Sequence, residues 1–206
     1  MKLPNAIKAT GNDIKDVKAI IMGHLHLDHA GGLEHFFGTN VPSKSRDPPC
    51  KYSTFLSLTS LPPPVYVHEE EFKHATWSVA TNADSGVYLA SYLSLAALNW
   101  QTFSASPFHL CQGLTLHHSP GHTPGLCLLQ INLARDGTFL FTTDQYHVRE
   151  NYEDAKPQGW LARDHNAWVR SHQMVRNLVE LFGARLVFGH DMETVRALTA
   201  EKGVLE

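Results

Sequence analysis

The sequence predicts a mixed α/β (α+β) fold, and three observations lead there. Short apolar runs such as VKAIIM, residues 17–22, have the length and β-branched content of buried strands. Residues 164–182 instead repeat apolar positions at three- and four-residue steps, the period of a helix. The two kinds of segment interleave along the chain without an internal repeat, as expected of strands and helices packed in layers.

Taken in order, VKAIIM is the first strand, and a histidine cluster follows it directly. Gly31-Gly32 then permits a tight turn, and LEHFF begins a helix or turn. PVYVH, residues 64–68, is a second short strand, and Glu69 to about Ala80 is a helix whose first turn is acidic. Between them, residues 39–63 are rich in Ser, Thr and Pro and show neither the strand nor the helix period. A connection of that kind is expected to be a disordered surface insertion or an untidy gene product such as retained non-coding sequence, with a lid over the site as a further reading.

Residues 84–98 are expected to form a second helix whose Tyr88, Leu89, Tyr92, Leu93 and Leu95 face a core. Leu114–His118 alternates as a strand and runs into SPGHTPG. Leu126–Leu133 and Thr138–Thr142 are strands joined through ARDG, whose Asp-Gly pair is a strong hairpin signal. Asp164 is the N-cap of a helix reaching Phe182, and Gly183 is its stop. A last strand, ARLVF, leads to Gly189-His190-Asp191.

The bulk composition excludes several classes. A formal charge of −3 gives no basic field for nucleic acid. No apolar run approaches the roughly 18 to 20 residues of a membrane span, and the polar N-terminus lacks a secretory signal core. The three cysteines, Cys50, Cys111 and Cys127, are scattered, as in a reducing compartment. The expectation is a soluble cytoplasmic protein without nucleic-acid or membrane partners.

Histidine is the unusual residue, 14 in 206. MGHLHLDHAGG packs His24, His26, Asp28 and His29 into six positions. A solvated histidine tract is the plain alternative to a metal site. Three further strand ends decide against it, because they lead to His122, Asp144 and His190, each with a nearby glycine. Five imidazoles and two carboxylates suit a borderline divalent ion such as zinc, with manganese, iron and cobalt open, and are enough for two ions if one carboxylate bridges. His35, His68, His74, His109, His117, His118, His165 and His172 lack this context and are read as surface or packing residues.

HLHLDH resembles the HxHxDH signature of the metallo-β-lactamase superfamily. HLHLDHAGG, SPGHTPG, TTDQYHVRENYED and FGHD together resemble its N-acyl homoserine lactonase branch, over about residues 17–195. The resemblance implies an αββα four-layer sandwich, in one domain over residues 1–206. It also implies that most strands ahead of the signature are missing, since 23 residues precede His24. It assigns His24, His26 and His122 to one metal, Asp28, His29 and His190 to a second, and Asp144 as the bridge. The implied cofactors are two divalent metal ions, zinc first. The implied activity is hydrolysis of a lactone, of the kind that opens N-acyl homoserine lactones in quorum quenching. Asp28 would hold the attacking water and return its proton to the leaving oxygen. The alternatives are hydrolysis of another ester or a thioester, and a metal-binding but inactive truncated relative.

One departure stands out. The related lactonases carry a tyrosine three residues after the bridging aspartate, where its hydroxyl assists at the carbonyl. Here that position is His147, and Tyr146 precedes it. Either His147 takes over as donor, or Tyr146 reaches in from a shifted loop.

Overall fold

The structure, a computed structural model, describes residues 2–37, 62–84, 86–93 and 98–201. The expected insertion at 39–63 falls almost wholly outside the described residues. The chain divides into two compact units, Met1–Phe103 and Ser104–Glu206.

The N-terminal unit is built on a three-stranded parallel sheet of β1 (Ile20–Ile21), β2 (Pro64–His68) and β3 (Asn99–Phe103), in that order. Ile20 pairs with Val65, and Tyr66 with Gln101. The VKAIIM strand is therefore shorter than its apolar run. Helix α1 (Leu3–Ala9) precedes it, and the short α2 (Leu27–Ala30) follows, continued as a 3₁₀ turn over Gly31–Phe36. Helix α3 (Glu69–Thr81) matches the acidic-start helix expected there, and Asn82 ends it in the left-handed conformation that Asn tolerates. Val65 and Val67 of β2 are buried with Ala75 of α3, Leu25, Leu33 and Phe36.

The helix expected over residues 84–98 does not form among the described residues. A single 3₁₀ turn, Ala90–Tyr92, stands there, and β3 begins at Asn99. The cause is in the tyrosines: the Tyr92 hydroxyl accepts from Leu89 N–H at 3.0 Å and donates to the Leu25 carbonyl at 2.8 Å. Tertiary contacts outcompete the helical hydrogen-bond ladder. The core role expected for Tyr88 and Tyr92 holds, as both are buried.

The C-terminal unit carries a five-stranded sheet in the order β4 (Phe108–Cys111), β5 (Leu114–His118), β6 (Cys127–Leu133), β7 (Gly137–Phe141) and β8 (Arg185–Val187). The first four are antiparallel neighbours, and the expected Asp136-Gly137 hairpin joins β6 to β7. β8 runs parallel to β7, which requires a crossover. The short α4 (Arg149–Glu153) and the long α5 (His165–Phe182) supply it. Helix α5 begins as the sequence predicts, with the Asp164 carboxylate accepting from Ala167 N–H at 2.9 Å, and Gly183 ends it at φ 58°. Trp168 and Val175 of its apolar stripe pack with Leu128 of β6 and Leu140 of β7. Helix α6 (Met192–Glu201) closes the described chain. Among the described residues no helix is long and apolar enough to cross a membrane.

Candidate metal centre

In the N-terminal unit the ligand-type residues follow the first strand. Met22 N–H still bonds to the Tyr66 carbonyl at 2.9 Å, after which the chain leaves the sheet. Leu25, between two of the histidines, is then held from both sides. Its N–H donates to the Glu71 carboxylate at 2.8 Å, and its carbonyl accepts from Tyr92. Glu71 lies fully buried in α3 and also accepts from the Tyr88 hydroxyl at 3.2 Å. Burial, and then the Glu71 charge, raise the Tyr88 pKa, and burial pushes that of Tyr92 up to about 12, so both phenols stay protonated and donate.

This clamp fixes the flanking imidazoles. The ring centroids of His24 and His26 lie 4.7 Å apart, and those of His24 and His29 lie 4.2 Å apart. His24 and His26 are buried. The His26 carbonyl accepts from Ala30 N–H at 2.8 Å, so α2 starts on it and turns His29 back toward His24. Asp28 is half exposed beside His29, its Oδ2 3.5 Å from His29 Nε2.

In the C-terminal unit three loops converge. The loop between β5 and β6 carries His122. Asp164 N–H bonds to the Gly121 carbonyl at 2.9 Å, and the Ser171 hydroxyl bonds to that of Pro120 at 2.7 Å. Gly121 has φ +145°, and a Cβ there would lie 2.6 Å from the Trp168 Cα, so the loop needs glycine to seat against α5. Beyond β7, Thr143 adopts φ 45°, an unusual conformation for a β-branched residue, and its hydroxyl donates to the Cys127 carbonyl at 3.1 Å. Asp144 follows on a 3₁₀ turn. The buried Gln145 side chain donates to the Trp168 carbonyl at 3.2 Å and accepts from Ser119.

Beyond β8, Gly189 N–H bonds to the Tyr146 carbonyl and His190 N–H to the His147 carbonyl, at 3.1 and 2.8 Å. A Cβ on Gly189 would sit 2.7 Å from Asp144 Oδ1 and collide with the Thr143 carbonyl. Asp144 Oδ2 consequently has three imidazole Nε2 atoms around it: His147 at 3.1 Å, His190 at 3.3 Å and His122 at 3.5 Å. Three imidazoles and a carboxylate are a donor set for a borderline divalent cation, so the residues fit the metal chemistry expected of them.

The structure thus gathers His24, His26, Asp28 and His29 in one unit, and His122, Asp144 and His190 in the other. It adds His147 to the second group. Tyr146 is placed in the core: it is fully buried, its hydroxyl meets His172 Nδ1 at 2.8 Å, and Trp168, Tyr152 and Phe188 stand around its ring. Sequence reasoning missed Glu71, read only as an acidic first-turn residue. Its signal was the third glutamate of EEE standing on the inward face of α3. Of the histidines read as surface or packing, His117 is buried against Gln130 and His172 against Tyr146, both as packing residues.

Residues 1–182 match the family model described as anti-Pycsar protein Apyc1. The chain belongs to the Apyc1 family. It is also 29% identical over 193 residues to the N-acyl homoserine lactonase AttM of Azorhizobium caulinodans, an alignment covering 90% of this chain and 62% of that protein. A solved N-acyl homoserine lactone hydrolase, with N-hexanoyl-L-homoserine bound at its catalytic metal centre, superposes with a TM-score of 0.72 at 26% identity. That match covers 95% of this chain and 64% of the other. A hydrolase of the β-lactamase superfamily, AbOPH, superposes at 0.64 with 17% identity over 92% of this chain and 62% of the other. This Apyc1-family chain therefore has the metallo-β-lactamase fold, and it is similar to N-acyl homoserine lactonases, in keeping with its four motifs. It spans 62 to 64% of the length of these relatives.

Proposed function

We propose that the chain carries the metal-binding and catalytic residues of a hydrolase that uses two divalent cations to open a lactone, with N-acyl homoserine lactones as the substrate class. One observation carries the reading: three imidazoles converge on the buried Asp144 carboxylate, in a chain whose relatives are named as lactonases. The assignment that the resemblance implies gives His24, His26 and His122 to one cation, Asp28, His29 and His190 to the other, and Asp144 to both. Zinc is the cation these donors suit best. Bound there, the ions would supply Lewis acidity, lowering the pKa of a water molecule and drawing charge from the substrate carbonyl.

The chain's own residues do the rest. Asp28, half exposed and next to His29, accepts a hydrogen bond from the attacking water and takes its proton. The water oxygen bonds to the carbonyl carbon, the acyl carbon–oxygen bond of the ring breaks, and the ring oxygen recovers the proton from Asp28. A carboxylic acid and an alcohol are left on one molecule. The buried clamp of Glu71 and Tyr92 on Leu25 keeps His24 and His26 from reorganising during these steps. Cys111 is a free thiol, which supports a cytoplasmic setting.

Zinc-loaded protein assayed by pH-stat against short- and long-chain N-acyl homoserine lactones tests the reading. Acid release that stops with chelator and in Asp28→Asn supports it. A metal-loaded, folded chain that releases no acid from any lactone contradicts it.

A further inference from the structure

His147 occupies the position where the related lactonases carry tyrosine, and its surroundings give it a different task. Its Nε2 makes the shortest of the three imidazole approaches to Asp144 Oδ2, at 3.1 Å. One donor atom each from His122, Asp144 and His147 falls within 4.8 Å of the others. The His147 ring lies near both of the others, its centroid 5.8 Å from that of His122 and 4.7 Å from that of His190.

The residue is also held in place. Its N–H donates to Asn151 Oδ1 at 3.1 Å, and its carbonyl accepts from His190 N–H at 2.8 Å. The side chain is 24% exposed and reaches inward from the loop rather than into solvent.

Hydrogen bonding alone accounts poorly for this arrangement. His147 and His190 at 3.1 and 3.3 Å already take up the two or so lone-pair directions of Asp144 Oδ2, and His122 Nε2 crowds the same oxygen at 3.5 Å. Deprotonated imidazoles and a carboxylate are compatible around a cation, where every one of them points a lone pair at the same charge.

We propose that His147 is a metal ligand, joining His122 and Asp144 to make a set of two imidazoles and one carboxylate within the C-terminal unit. Two imidazoles and a carboxylate are donors that zinc accepts together. The inference rests on the two-cation reading above and replaces the carbonyl-donor role considered for His147. It also makes the C-terminal unit's hold on its cation less dependent on the HLHLDH segment.

The test is a cobalt(II) titration of the full chain, followed by visible d–d absorption and by competition with a chelator. The variants are His147→Ala and His147→Gln, with the exposed His165→Ala as control and melting of the metal-free forms as the check on folding. The parent and His165→Ala are expected to bind two equivalents. Both His147 variants are expected to hold one of the two at least about 10-fold more weakly, with a changed d–d spectrum. Two equivalents bound with unchanged affinity and spectrum in both variants would overturn the inference and leave the two-cation reading intact. A parent that binds no cobalt would overturn both.

Discussion

The backbone N–H of Leu25 donates to the buried carboxylate of Glu71 at 2.8 Å, across 46 residues of sequence. This bond ties the segment bearing His24 and His26 to helix α3. Glu71→Ala leaves that N–H, and the Tyr88 hydroxyl, without their acceptor inside the core. The expected loss is about 2 to 3 kcal/mol in a urea melt. Cobalt affinity should fall with it, although Glu71 is not among the ligands.

Gly121 and Gly189 stand where neighbouring backbone leaves no space for a side chain. Gly189→Ala would push a methyl group against the Thr143 carbonyl and Asp144 Oδ1, and Gly121→Ala would push one into α5 at Trp168. Each is expected to cost about 1 to 3 kcal/mol from overpacking. Gly189→Ala should in addition reduce bound metal, because the displaced group is the proposed bridging ligand. Thermal melts with and without zinc separate the two effects.

Tyr146 belongs to the core of the C-terminal unit. Tyr146→Phe removes the hydroxyl that meets His172 Nδ1 and is expected to cost about 1 to 2 kcal/mol of stability. Cobalt stoichiometry should stay as in the parent. A normal melt combined with a collapse of lactone turnover would instead return this tyrosine to the reacting centre.

His172 gives the protein a pH dependence apart from its metal ligands. Burial first, and the nearby Arg176 charge second, hold its pKa below the ordinary histidine value. Burial likewise depresses His117. In the unfolded chain both return to about 6.5 and bind protons more readily. Their contribution to stability is therefore complete above that value and is lost as pH falls through it toward the lower folded values. Metal-free protein should show a lower urea midpoint at pH 5.5 than at pH 7.5. His172→Gln should show a smaller difference between the two.

Local chemistry made much of the fold legible. The Asp164 cap, the Gly183 stop and the Asp136-Gly137 turn depend on side chains a few residues apart, so short-range sequence carries them. β4 and α4 are too short for periodicity to register, and α6 carries a weaker apolar stripe than α5. Residues 84–98 misled because Tyr88 and Tyr92 have helical spacing but spend their hydroxyls on Glu71 and Leu25, far away in sequence. The site divides in the same way. His24, His122 and His190 stand in motifs readable one at a time. Glu71 and His147 acquire their roles only from what the folded chain brings beside them.

The most direct test of the central claim is elemental analysis of the full chain after zinc loading and exhaustive dialysis, set beside Asp144→Ala. The account predicts two zinc ions per parent chain and a clear deficit in the variant. Substoichiometric zinc in the parent, or the same content in both proteins, would contradict it.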